Sequence, residues 1–206
     1  MSITLFIVLI TAAISLLALN NRKYFVKLEY NPFLVHHQKQ WYRLLSHAFV
    51  HADWMHLIVN MYVLYEFGRV VEFGYFYYFG NTTPFIFILL YVLGILFSAL
   101  PAYRKHKHHA HYNAVGASGA VSAVVFTSIM LLPAQKLGLL IIPFFHLPAI
   151  VFGFLYLAFE YYMDKRSPDN IAHDAHFWGA IFGVVFTTVL EPEIAVNCIL
   201  QISTLF

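Results

Sequence analysis

Charge is what this sequence has least of. Asp, Glu, Lys and Arg make up 11% of its 206 residues, against about a quarter in a soluble domain. With 61% of residues hydrophobic and a mean hydropathy of +0.70, a globule of this size cannot cover its apolar surface with so few charges. Its solvent is lipid. The net charge of +2 is small and scattered, which excludes a nucleic-acid partner. Cysteine is limited to Cys198, so no intrachain disulfide forms. No histidine lies near Cys198 in sequence, and apolar surroundings raise a thiol pKa, so it is no nucleophile. The first apolar run has no basic stretch before it and no small-x-small site after it, which argues against a cleaved signal peptide. Repeats and low-complexity linkers are also missing, and the length suits one compact unit, residues 1–206.

What is present is a series of apolar runs of spanning length, about 20 residues each. The pattern predicts helices over Ile3–Leu19, Trp54–Val71, Pro84–Leu100, Ala114–Leu132, Pro148–Met163 and Ala172–Leu190. The fold class is therefore an all-α membrane protein with six transmembrane helices. Between the first two lies a long mixed segment, Asn20 to Asp53, and long loops are often functional. Loops Ala102–Asn113 and Asp164–Asn170 are polar, Leu137–His146 reads as an interfacial segment, and the last thirteen residues are too short to cross again. The aromatic run Phe73–Phe79 reads as an interfacial belt.

Polar residues inside spans are costly and mark function. Three clusters stand out: His51-x4-His56-x3-Asn60, Gly116-Ala117-Ser118-Gly119, and Ala175-His176-x2-Gly179-x3-Gly183. They sit at the starts of the second, fourth and sixth helices, which all cross in one direction, so the clusters share one membrane face and can meet. His56 and Asn60 are four apart, on one helix face. His176, Gly179, Ala180 and Gly183 form one stripe, matched by Gly116, Gly119, Ala120 and Ala123, and small residues let helices approach closely. That contact would bring Ser118 within reach of His176.

A serine hydroxyl becomes a nucleophile when an imidazole takes its proton. Donors aimed at the developing oxyanion contribute about 3–4 kcal/mol each. His56, Asn60 and the Ser118 N–H are the candidates. Asp174 lies two residues before His176, and side chains at that spacing do not face each other on a helix. The reading is a dyad.

These three clusters, in this order and spacing, resemble the signature motifs of rhomboid intramembrane serine proteases. The resemblance covers nearly the whole chain. It implies cleavage of transmembrane protein substrates within a lipid bilayer, with no metal and no cofactor. It makes Ser118 the nucleophile, His176 the base, and His56 with Asn60 the oxyanion donors. Arg43, with Trp41 nearby, and Glu72 resemble residues that brace the family's first loop, and His47 is read as a further loop brace. His51 is read as structural. By the same resemblance the host is a bacterial cytoplasmic membrane. One departure is visible: where several bacterial members carry an aromatic residue stacked on the catalytic imidazole, this chain has Ser122. Phe126 or a neighbouring helix must then hold the ring.

The loops after helices one, three and five hold Arg22, Lys23, Lys27, Lys39, Arg43, Arg104, Lys105, Lys107, Lys165 and Arg166. Only Arg69 and Lys136 face the other side. The positive-inside rule places the site mouth in the cytoplasm, whereas the resemblance places it outside. Loop histidines His106, His108, His109 and His111 read as solvated or adventitious binders. Two other functions fit less well. An inactive relative that binds membrane helices would not need Ser118 paired with His176. A histidine-lined proton or metal transporter would need acidic partners within the spans, and Glu66 and Glu160 lie near helix ends.

Overall fold

The structure, a computed structural model, describes residues 2–139, 142–166 and 171–205. Ten helices and one hairpin follow in order among them: α1 Ile3–Asn20, α2 Arg22–Leu28, α3 Pro32–Gln38, α4 Arg43–Ser46, α5 Trp54–Phe79, α6 Thr83–His106, α7 Ser118–Leu131, strands β1 Lys136–Leu139 and β2 Ile142–Pro148, α8 Ala149–Arg166, α9 His173–Leu190 and α10 Pro192–Ser203. The six long helices are α1, α5, α6, α7, α8 and α9, as the apolar runs predict. By length and apolarity, α1 and the stretch from α5 through α6 suffice to cross a bilayer, and α9 is joined to α10 at a bend of 113°.

Several boundaries differ from expectation. α5 runs on through the aromatic stretch to Phe79, where Gly80 at φ +53° ends it. That stretch is not a simple belt: Phe73 and Tyr77 face outward, but Tyr75 is fully buried. Pro101 lies inside α6 instead of ending it. The fourth helix begins at Ser118, not Ala114, because Ala114 is drawn into a backbone pair with Tyr30 (2.8 and 3.0 Å). The expected interfacial segment is an antiparallel hairpin pairing Lys136 with Pro148 and Gly138 with His146. Of the loop expected at Asp164–Asn170, residues 167–170 lie outside the described residues.

α7 is the centre of the bundle. Twelve of its 14 residues are buried, so it packs on protein all round, against α5, α6, α8 and α9. In lipid the usual contrast is inverted, and polar residues turn inward. In α1 the buried stripe is Thr4, Ile7, Thr11, Ser15 and Ala18, at helical spacing. Thr127 of α7 meets Thr187 of α9 (2.9 Å), which meets the Tyr75 hydroxyl of α5 (3.2 Å). Such interhelical bonds contribute about 0.6 kcal/mol each on average. α6 joins α9 through stacked Phe97 and Phe182 rings, 4.8 Å apart. α8 turns much of its surface outward: Phe154, Leu155 and Phe159 are exposed, and its buried residues are Ala149, Gly153 and Glu160.

Candidate active site

The site is assembled at one end of the bundle by α5, α7, α8, α9 and the loop before α7. Gly116 shapes that loop. Its φ is +116°, its N–H donates to the His47 carbonyl (3.0 Å), and a Cβ there would lie 2.7 Å from Cε1 of His56. Both the backbone sign and the His56 ring therefore demand glycine. Two residues later Ser118 opens α7, where backbone N–H groups have no intrahelical partner and the helix dipole is positive.

α9 lies against α7 at backbone distance. A Cβ on Gly179 would fall 2.0 Å from the Gly119 carbonyl oxygen, so no larger residue fits. The approach continues where Gly183 faces Ala123. This contact delivers His176 to Ser118, Nε2 to Oγ at 2.7 Å. The two helices thus meet as their small-residue stripes predict.

The sequence reading missed what lies behind the imidazole. His176 Nδ1 is 3.1 Å from Oε1 of Glu160, and His173 Nδ1 is 2.5 Å from Oε2 of the same carboxylate. A carboxylate only accepts. His176 therefore donates from Nδ1, which leaves the Nε2 lone pair for the Ser118 hydroxyl. Serine, imidazole and carboxylate stand in one hydrogen-bonded line, where the sequence points to serine and histidine alone. It is not Asp174, whose Oδ1 accepts from the Ala175 N–H (2.8 Å). Glu160 is 3% exposed, which corrects the view of it as a helix-end residue. An ionisable residue in a span marks function by default, and that signal was masked by Lys165 and Arg166 a turn further on.

Ring support also comes from α8. The Ser122 hydroxyl bonds the Tyr156 hydroxyl (3.0 Å), and Tyr156 lies one turn before Glu160 on the same helix face. Phe126 packs on Tyr156, with centroids 5.9 Å apart. The imidazole is held by a carboxylate where the expectation was an aromatic face.

Asn60 donates one amide N–H to the His56 carbonyl (2.9 Å), and a primary amide has a second. The His56 ring borders Gly116, and its Nδ1 accepts from the Ala52 N–H (3.4 Å). His51 is fully buried, with Nδ1 2.8 Å from Ser15 Oγ, tying the loop to α1. Arg43 is a loop brace: its guanidinium donates to Gln40 Oε1 (2.6 Å) and to the carbonyls of Val26 (2.9 Å) and Glu29 (2.7 Å). His47 donates from Nδ1 to the Arg43 carbonyl (3.0 Å), and burial lowers its pKa to about 4. Trp41 is exposed. Glu72 does not join the first loop. It sits toward the far end of α5, where its carboxylate accepts from the Thr4 N–H and the Ser2 hydroxyl and caps α1. A cavity of about 30 Å³ beside Ser118, lined by Tyr30, His47, Gly116 and Ala175, has room for a water.

Fold and site together define a helical-bundle integral membrane protein with a hydrogen-bonded serine, histidine and glutamate below one rim. A family model, the Rhomboid domain, matches residues 38–193. The chain belongs to the rhomboid family. It is also similar to Rhomboid-like protein 11, chloroplastic, of Arabidopsis thaliana, at 42% identity over 40 residues. That match covers 19% of this chain and 14% of the relative.

Proposed function

We propose that this rhomboid-family chain is an intramembrane serine endopeptidase that hydrolyses peptide bonds in or beside transmembrane segments of other membrane proteins. The observation that carries the reading is the 2.7 Å contact of Ser118 Oγ with His176 Nε2, aligned with Glu160. Substrate enters between helices and unwinds to present a carbonyl. His176 takes the Ser118 proton as Oγ attacks, and Glu160 holds the imidazole and stabilises its charge. The Ser118 N–H, His56 and the free Asn60 N–H receive the oxyanion. The imidazolium then protonates the leaving amine, and water cleaves the acyl-enzyme with His176 again as base. The proposed host is a bacterial cytoplasmic membrane, by the resemblance in the motifs; the chloroplast location is said of the Arabidopsis protein.

The test is cleavage of a transmembrane reporter together with labelling by a fluorophosphonate probe. Both are expected in the wild type, and both are lost in Ser118→Ala and His176→Ala. Undiminished cleavage by Ser118→Ala rejects the mechanism, and a wild type that neither labels nor cleaves rejects the peptidase reading. One observation favours a second reading. Glu160, His173 and His176 offer donor atoms within 4.8 Å of one another, the spacing of a metal triad. An ion there would draw His176 from Ser118, and labelling abolished by added metal and restored by a chelator would favour that reading instead.

A further inference from the structure

Two histidines that the sequence reading left aside meet one that it set down as solvated. His36 and His37 lie on α3, in the first loop, and His108 lies in the segment after α6. Their ring centroids are 4.7, 5.3 and 5.6 Å apart, and one ring nitrogen from each falls within 4.8 Å of the others. His106 and His109 are paired with each other instead, Nδ1 to Nδ1 at 3.2 Å.

The platform is built without any ion. The two segments are joined by the Tyr30–Ala114 backbone pair. Asn31 adds two bonds, Nδ2 to the Ala110 carbonyl (3.0 Å) and to Asn113 Oδ1 (2.9 Å). His36 Nδ1 bonds the Tyr103 hydroxyl (3.0 Å), which fixes the ring and leaves Nε2 as the nitrogen to ligate. That is how metal-bound histidines are oriented. The His37 ring packs on Phe33 at 4.4 Å.

We infer that His36, His37 and His108 bind one divalent transition-metal ion, Zn²⁺ by preference, which clamps α3 to the loop leading to Ser118. Three neutral imidazoles and an open position for water suit Zn²⁺, Ni²⁺ or Cu²⁺; oxygen-seeking Mg²⁺ and Ca²⁺ find no carboxylate among these three ligands. Lys107 and Lys39 oppose a cation and hold the affinity below that of a carboxylate-bearing site. The site stands apart from the peptidase reading and is measurable without catalysis.

The experiment uses the full-length Ser118→Ala protein, carrying no histidine tag, in detergent. Zn²⁺ is titrated against a chromogenic chelator and the thermal midpoint is followed. One equivalent per chain and a raised midpoint are expected. Both are lost in His37→Ala and His108→Ala and kept in His111→Ala and Glu160→Gln. Tyr103→Phe, which leaves all three ligands in place, weakens affinity about tenfold to a hundredfold. The proposal is overturned by an absence of saturable binding, by binding indifferent to His37→Ala and His108→Ala, or by binding lost in Glu160→Gln. Affinity unmoved by Tyr103→Phe overturns the built site and leaves an adventitious ion only.

Discussion

α9 makes two seams of opposite character, and both end at His176. Toward α7 the seam is backbone on backbone: Gly179 on Gly119, and Gly183 on Ala123. Toward α8 it is polar side chains, with Glu160 between His173 and His176. The first seam carries no chemistry and sets a distance. The second draws its carboxylate from a helix whose other face is exposed, and sets an orientation. Packing density is what lipid leaves available to hold helices together, so position comes from glycine. A ring in a tight seam still has two faces and two tautomers, and a carboxylate selects among them.

The sharpest way to break this comparison is Gly179→Val. A branched side chain 2.0 Å from a carbonyl cannot be accommodated by a rotamer change. Loss of fluorophosphonate labelling and a large fall in thermal midpoint are expected; a labelled, stable variant would show that the seam is not what sets the distance. Next is Glu160→Gln, which keeps shape but lets the amide favour the wrong tautomer. A fall in kcat/KM of about a thousandfold is expected with the midpoint nearly unchanged. A changed midpoint with unchanged kcat/KM would make the second seam structural.

A control away from both seams is the first loop. Burial holds His47 near pKa 4 in the folded protein, below about 6.5 in an unfolded chain. The unfolded state then binds the proton first, so stability falls as pH drops from about 6.5 toward 4, by at most about 3 kcal/mol. His47→Gln should flatten that part of the pH–stability curve. The smallest effect belongs to Tyr156→Phe, which removes the hydroxyl on Ser122. A loss of about 1 kcal/mol of stability is expected, read as a small fall in thermal midpoint, with kcat/KM down severalfold.

The glycine seam was legible in the sequence because small residues at helical spacing are rare enough to stand out, and helices four and six had to enter from one side. The carboxylate seam was not. A helix in water shows its inner face by contrast with a polar outer one; in lipid a lone carboxylate points inward, but Lys165 and Arg166 close by make Glu160 read as part of a polar helix end. The start of the fourth helix was not legible, and lies at Ser118 instead of Ala114, since the pull of Tyr30 on Ala114 acts across 84 residues. Pro101 gave the same signal as a terminator and was absorbed within α6. Glu72 was assigned to the first loop by resemblance, and its position 18 residues beyond the start of α5 puts it about 27 Å away along the axis.

The central helix has one more consequence. At 14 residues, α7 is about 21 Å long, against a hydrocarbon layer of about 30 Å, whereas α5 at 26 residues is about 39 Å. Bilayer thickness is therefore felt by the outer helices and not by the innermost one. Lipids with longer or shorter acyl chains change the tilt of α5 and α6 around a fixed α7. Hydrophobic mismatch would then move His56 and Asn60 relative to Ser118, and under the proposed function acyl-chain length becomes a control, from outside the protein, on the oxyanion site proposed there.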